Sequence, residues 1–388
     1  MKTNRPIKNI LRLALNLCLA VAAGAASARA ANYIFTIIDH PLGIKGALAF
    51  GINSSSVVTG YYLDAKSVAH GYLLRQGVFE AIAHPLGVNG TYPRGVNDAE
   101  AVVGNYYATN GNHGFIFQNG NYTTLDYPLA SSTIAYGISS SGEVVGSYSD
   151  GSVVHGFRFK DGVFTTIDNP LGVDPVEPDC GGNAAYGVNA SGVVVGEWDA
   201  LCGNDPYQSA YLLKDGAYTT INHPSTHDLC FAIGINDSGA VVGWFEGRGV
   251  FTNNTFFVPA QSYVLKNGVY TELVHPLFPS TTRAQAINAG GQVVGFVGDF
   301  SSGTHGFIAT PIAIDPQELR LFIGRTGDTF QLTATGTTNT QWRLEFRDTL
   351  TGTNAWQPLT NITLGASPVV LDQPLASTSR FYRGISLP

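Results

Sequence analysis

Six side chains outside any repeating pattern have the right types to act together: Glu177, Asp179, Asp199, Asp205, His227 and Asp228. Gathered carboxylates beside a histidine can hydrogen-bond a glycan or peptide, ligate a cation, or divide a proton as an acid–base pair. Cleavage of a polysaccharide would need two of these carboxylates, or one of them with Glu246, to converge within about 5–10 Å. The plainer alternative is solvated loop charge. No Gly-x-Ser-x-Gly, Walker loop, His-Glu-x-x-His, Cys-x-x-Cys or calcium-loop spacing accompanies them. The expectation is a polar binding site, with no catalytic residue, metal or cofactor assigned.

The other histidines read as framework. Of nine, His40, His84, His223 and His275 precede proline, and His70, His113, His155 and His305 precede glycine. A residue that recurs in equivalent places more often fixes a fold than reacts, since an active site needs its acid or base once. Asp39, Asp126 and Asp168 stand before an x-Pro bond, where Asp favours an Asx turn. Cys180 and Cys202 flank one strand pair and are placed to form a disulfide; Cys202–Cys230 is the rival pairing.

The elements that must position these residues repeat. A first strand reads Ala-aromatic-Gly-Ile-Asn, as at Ala49–Asn53, Ala135–Ser139 and Ala185–Asn189. A second reads Val-Val-Gly-x-aromatic, as at Val102–Tyr106, Val144–Tyr148 and Val194–Trp198. A third reads His-Gly-aromatic-hydrophobic, and a fourth aromatic-Thr-Thr-Ile. Asn-x-x-Gly closes the first pair, and Asn-Gly or Asp-Gly closes the second with the positive φ of a type I′ turn. Units of ~42–52 residues with four strands match propeller blades. The chain opens on a lone fourth-type strand, Tyr33–Ile38, and its sixth unit lacks one. Pairing of the two defects predicts an all-β, six-bladed β-propeller closed by its N-terminal strand, without exposed sheet edges.

The recurrence of Ala-Tyr-Gly-Ile-Asn, Gly-x-Val-Val-Gly-x-Tyr and His-Gly-Phe over Tyr33–Pro311 resembles the HAF family of bacterial extracellular repeats. That resemblance implies secretion and a repeat fold, and it carries no catalytic residues to this chain. Residues 312–316 read as a linker. Residues 317–388 read as a small β-sandwich-like accessory domain, with strands at Leu319–Ile323, Thr329–Thr333, Gln341–Phe346, Ala355–Leu359 and Phe381–Ile385. Leu344–Leu350, Trp356–Leu359 and Arg380–Arg383 resemble the C-terminal module of secreted verrucomicrobial-type proteins.

Residues 1–30 read as a secretory signal: a basic start, an apolar run from Leu13 to Ala26, and Ala28-Arg29-Ala30 before cleavage. Removing the five basic residues of that stretch from a total of 21 leaves 16 against 28 acidic, a net charge of −12. Such a chain is a poor partner for nucleic acid or an anionic membrane surface. The expected location is extracellular or the cell envelope, without membrane insertion after cleavage. Turns between paired strands hardly vary in length, whereas Asn169–Asn183, Asp199–Gln208 and Glu246–Ala260 are long and leave from one face. Elaborated loops on one face mark a binding face. The sequence therefore points to a secreted, non-catalytic module for a glycan or surface protein, with its site beside the fourth and fifth units. A polysaccharide hydrolase or lyase and a structural envelope spacer are the alternatives.

Overall fold

A computed structural model describes residues 33–170, 182–199, 208–224, 229–246, 250–252, 255–257, 260–299, 303–312, 320–326, 329–335, 340–347, 357–365, 369–374 and 381–386. Among them the regular elements are all β-strands, and no helix is long and apolar enough to cross a membrane. The chain divides into two compact units, one ending at Pro311 and one from Ile312 to Pro388.

The first unit is a propeller-like succession of four-stranded antiparallel ladders. After β1 (Tyr33–Ile38) come β2 (Ala47–Ile52), β3 (Val58–Leu63), β4 (Ala69–Arg75) and β5 (Val78–Ile82), then β6 (Thr91–Val96), β7 (Val102–Ala108), β8 (Gly111–Gln118) and β9 (Asn121–Leu125). Next are β10 (Ser132–Ile138), β11 (Val144–Ser149), β12 (Val154–Lys160) and β13 (Val163–Ile167), and β14 (Gly182–Val188), β15 (Val194–Asp199), β16 (Gln208–Lys214) and β17 (Ala217–Ile221). One parallel bridge, Val154 to Gly182, fuses these two ladders into an eight-stranded sheet. β18 (Cys230–Ile235) and β19 (Val241–Glu246) precede a short hairpin, β20 (Val250–Thr252) and β21 (Thr255–Phe257), before β22 (Ala260–Lys266) and β23 (Val269–Leu273) complete their ladder. The stretch 246–260, read from sequence as loop, thus holds a strand pair, since Val250-Phe251 and Phe256-Phe257 flank an Asn-Asn pair with turn chemistry. Finally β24 (Arg283–Ile287), β25 (Val293–Asp299) and β26 (Gly303–Pro311) take β1 as their fourth strand, from Tyr33 opposite Pro311 to Ile38 opposite Gly306.

The Val-Val pairs explain the layering. Consecutive strand residues face opposite sides, so two adjacent valines require a sheet covered on both faces. Val103 packs with Ala135, Val144 and Phe157 of the next ladder, and Val145 with Ala185, Val194 and Tyr211 of the one after. Val195, Val242 and Val294 continue the pattern, and the cluster of Val294 contains Ala49, Val58 and Tyr72 of the first ladder. The apolar contacts therefore return to their start. Each buried valine contributes about 1.5–3 kcal/mol, so this alternation is the main source of cohesion.

The turns follow their residues. Gln76 and Gly77 have φ of 48° and 83°, and Asn267 and Gly268 have 51° and 78°, the two positive values of a type I′ turn. At the other hairpin end a buried Asn does two jobs. Asn189 Oδ1 accepts the N–H of Ser191 at 3.1 Å and of Val193 at 3.0 Å, while its Nδ2 donates to the carbonyl of Asn236 at 3.2 Å. Asn236 likewise donates to Asn288, Asn288 to Asn53, Asn53 to Asn97 and Asn97 to Ser139. Ser139 Oγ still accepts the turn N–H of Glu143 at 3.1 Å, but a hydroxyl is too short to reach onward.

In the second unit β27 (Arg320–Thr326), β28 (Thr329–Thr335) and β31 (Val369–Pro374) form one three-stranded sheet. β29 (Gln341–Arg347), β30 (Gln357–Thr363) and β32 (Phe381–Ser386) form another. Leu332 and Ala334 of the first and Leu344 and Ile362 of the second share one apolar cluster. The strand at Val369–Pro374 is additional to the five expected from sequence; its proline sits at the strand's end, where it removes no interior ladder bond.

Three substitutions test the asparagine circuit by urea unfolding. Ser139→Asn supplies the absent donor toward Asn189 and is expected to stabilise by about 1 kcal/mol. Asn236→Ala leaves buried turn groups unpaired and is expected to cost about 3 kcal/mol, with Asn236→Ser losing less because it keeps the turn bond.

Candidate functional site

The inner hairpins build a cavity. Where each first strand meets its second, the register slips by one residue: between Ala49 and Gly51, Pro93 and Gly95, Ala135 and Gly137, Ala185 and Gly187, Ala232 and Gly234, and Ala284 and Ala286. A bulge leaves its extra residue out of the ladder and re-aims the side chain. The extra residues are Phe50, Arg94, Tyr136, Tyr186, Ile233 and Gln285, and all of them line one cavity of about 380 Å³. Two glycines show how tight this packing is. A Cβ on Gly196 would lie 2.0 Å from the Ala184 carbonyl, and one on Gly187 would lie 2.9 Å from the Ile233 carbonyl of the neighbouring ladder. Buried tyrosines reach the carbonyls beside the bulge: Tyr72 donates to Leu48 at 2.9 Å and Tyr263 to Phe231 at 2.8 Å.

The floor is aliphatic. Ile52, Val96, Ile138, Val188, Ile235 and Ile287 line the cavity and also a small hollow on its far side, where Asn53, Asp98 and Asp237 stand. They separate the two and close the cavity toward the asparagine circuit. Leu48, Tyr61, Phe231, Trp244, Arg283 and Phe296 form the wall toward the opposite strand ends. Trp244 stacks on Phe231 at 3.9 Å and carries the Arg283 guanidinium over its ring at 5.0 Å. Arg283 faces Glu246 at 3.8 Å; burial lowers its pKa, and Glu246 opposes that shift. Across the wall, Arg94 lies 4.7 Å from the Phe50 ring centroid and 5.8 Å from those of Tyr61 and Tyr136. Tyr186 donates its hydroxyl to Glu197, and burial first, then that carboxylate, pushes its pKa well up. Burial likewise raises Tyr61 and Tyr136. These phenols are therefore hydrogen-bond donors at neutral pH rather than bases.

Of the residues expected from sequence to bind, Glu177, Asp179, Asp205, His227 and Asp228 lie outside the described residues, as do Cys180 and Cys202. Asp199 ends β15, its backbone paired with Gly182 and Gln208. These ladder ends, from which the long loops leave, are on the side of the cavity away from its floor. Cys230 is free and buried, its Sγ 3.8 Å from the Tyr263 hydroxyl, so it is not paired with Cys202. Among the described residues no group of three or more His, Cys, Asp or Glu is placed to hold a metal ion.

The recurrent histidines have structural partners. His40 stacks on Tyr62 at 3.8 Å and His84 on Tyr106 at 3.6 Å, the place that Tyr127 fills on Tyr148 at 3.6 Å. Their Nδ1 atoms accept the N–H of Leu42 and Leu86 at 3.2 Å. His113 pairs with Asp126, His155 with Asp168 and His305 with Asp39, at 2.7–3.0 Å. Asp39, Asp126 and Asp168 are thus side-chain partners of a histidine on the adjacent strand, not the Asx-turn residues that an x-Pro context suggested. Ala83 holds the equivalent place beside His70, which turns to Asp64 instead, at 3.1 Å.

Sequence reading passed over the cavity because it treated the recurring hairpin as framework. The signal was the variation within that constant frame: one position reads Phe, Arg, Tyr, Tyr, Ile and Gln in turn, and the one after the second-strand glycine reads Tyr61, Asn105, Ser147, Glu197, Trp244 and Phe296.

No protein-family model and no curated protein sequence matches the chain. Solved structures similar to it include a gluconolactonase from Xanthomonas campestris, at 10% identity and TM-score 0.43, covering 76% of this chain and 99% of that one. An aldose sugar dehydrogenase from Streptomyces coelicolor is similar at 11% identity and TM-score 0.39, covering 73% and 99%. The β-propeller domain of the Trilobed protease from Pyrococcus furiosus is similar at 9% identity and TM-score 0.38, covering 74% and 90%.

Burial lowers the pKa of His223, packed at 4.0 Å on Phe245, to about 4. A histidine whose folded pKa is depressed contributes stability above its unfolded value, and that stability is lost as pH falls from about 6.5 toward 4. The loss from this one group is about 3 kcal/mol. His223→Tyr, copying the Tyr127–Tyr148 stack, is expected to flatten the decline of urea midpoints between pH 7 and pH 4.5 relative to wild type.

Proposed function

We propose that residues 33–311 form a six-bladed β-propeller, closed by β1, that serves as a secreted, non-catalytic binding module taking a small ligand into its central cavity. The observation that carries this reading is the cavity: about 380 Å³, closed at one end by aliphatic side chains and walled by Phe50, Tyr61, Tyr136, Tyr186, Phe231, Trp244 and Phe296. Aromatic walls with a few convergent polar groups are the usual form of a small-ligand site. Buried, protonated phenols and stacked guanidinium groups suit recognition better than proton abstraction. Loop residues Glu177, Asp179, Asp199, Asp205, His227 and Asp228 would then extend recognition outward from the rim, to a glycan or the polar part of a surface protein. Residues 317–388 are assigned as a β-sandwich-like accessory domain, and the repeats as HAF-type extracellular repeats, the signal at 1–30 directing export.

A cavity-filling variant tests the site. Ile233→Trp puts an indole into the cavity from a residue of its wall. Wild-type protein is expected to give ligand-observed NMR signals with members of a small-molecule fragment panel, and the variant to lose those signals while keeping its thermal midpoint. A panel that binds wild type and variant alike places recognition elsewhere and removes the cavity from the reading.

A further inference from the structure

We infer that the cavity takes a small carboxylate borne on a six-membered ring, with Arg94 as its docking group; this rests on the reading of the cavity as a ligand site. The first observation is charge. In a chain of formal net charge −7, the charged residues lining the cavity are Arg94 and Arg283, and among the described residues no Asp or Glu lines it. A positive pocket in an acidic protein attracts an anion and repels little else of its own surface.

The second observation separates the two arginines. Arg283 already faces Glu246 at 3.8 Å. Arg94, half-buried, pairs with no carboxylate among the described residues, and its one hydrogen bond, from Nε to Asn105 Oδ1, is 3.5 Å long. Its other contacts are the rings of Phe50, Tyr61 and Tyr136. Ring contacts hold a guanidinium by its charge and leave the N–H fork, which matches a planar carboxylate at two points, without a partner. Three rings from two neighbouring ladders, Phe50 and Tyr61 on one side and Tyr136 on the other, thus fix the group in place before a ligand arrives, so little side-chain entropy remains to be lost on binding.

The third observation is the surroundings. The Tyr186 hydroxyl is already donated to Glu197, so the Arg94 fork is the main donor set; its two parallel N–H groups match a carboxylate of a single charge and are too few for a phosphate carrying close to two charges on three oxygens. Beyond Phe50, which carries Arg94, the wall continues to Phe296, whose ring centroid is 6.0 Å from that of Phe50 and whose plane is tilted to it by 45°, an apolar flank for a ring borne on the carboxylate. A cavity of about 380 Å³ holds one such ring with its carboxylate. A sugar acid and an aromatic acid share this chemistry.

Calorimetric titration of the full-length protein distinguishes them. The probes are D-glucuronate and benzoate, each beside a neutral counterpart, methyl glucoside and benzamide, with inorganic phosphate as a further probe. One carboxylate is expected to bind at least tenfold more tightly than its neutral counterpart. Arg94→Gln is expected to weaken it at least tenfold, and Arg94→Lys to weaken it less. Glucuronate alone identifies a sugar acid, and benzoate alone an aromatic acid. Equal binding of a neutral counterpart, preference for phosphate, affinity unchanged in Arg94→Gln, or no carboxylate binding at millimolar concentration each overturns the assignment. If a neutral probe binds and Ile233→Trp abolishes it, the cavity stands as a ligand site and only its anion preference falls. The comparison of charged with neutral probes uses wild-type protein, so it holds even if the Arg94 variants fail to fold.

Discussion

The buried asparagine that ends five of the inner hairpins, with Ser139 in its place in the remaining one, is the interaction on which the rest depends. A tight turn between two apolar strands leaves N–H groups that burial makes costly. Asn189 and Asn236 satisfy those groups with the amide oxygen and spend the amide nitrogen on the next ladder. One side chain thereby fixes a turn, its own distance from the axis and its neighbour's position. Hydrophobic contact alone would hold adjacent sheets together without setting their registration, because apolar attraction has little direction.

With the hairpin ends tied at one level, the bulges lie at one level too. That is why Phe50, Arg94, Tyr136, Tyr186, Ile233 and Gln285 converge on a single cavity although they are tens of residues apart. The fold needs none of these identities. It needs the glycine or alanine that follows, since the backbones of neighbouring ladders meet there, and the apolar pair that covers both sheet faces. The position that fold leaves free is the one that faces the ligand space, so stability and specificity are carried by adjacent residues with different constraints.

The same division separates the histidines from the cavity. His40 and His84 are ring-stacked and accept a backbone N–H, and His113, His155 and His305 each hold the aspartate that follows the neighbouring strand. Their recurrence reflects a packing problem solved several times. Arg94 is the one arginine in its series, and among the described residues it pairs with no carboxylate. Singular identity at a repeated position is the better sign of recognition in such a chain.

Much of this was legible in the residues alone. Asn-Gly and Asp-Gly demand positive φ, Val-Val demands a sheet buried on both faces, and the lone first strand with an incomplete last unit implies their pairing; each is a local or counting constraint. Strand Val369–Pro374 and the hairpin in 246–260 were not legible, because short apolar runs with prolines or asparagines resemble turns until a partner strand is at hand. The cavity was not legible either. A bulge is a mismatch between two strands and has no signature in one of them, and convergence of six such residues exists only once the ladders close in a ring. Sequence determined the strands, the turns and their repetition, since those are set by neighbours along the chain. Tertiary structure alone decided which side chains meet at the axis, since that depends on register and closure between segments far apart in sequence.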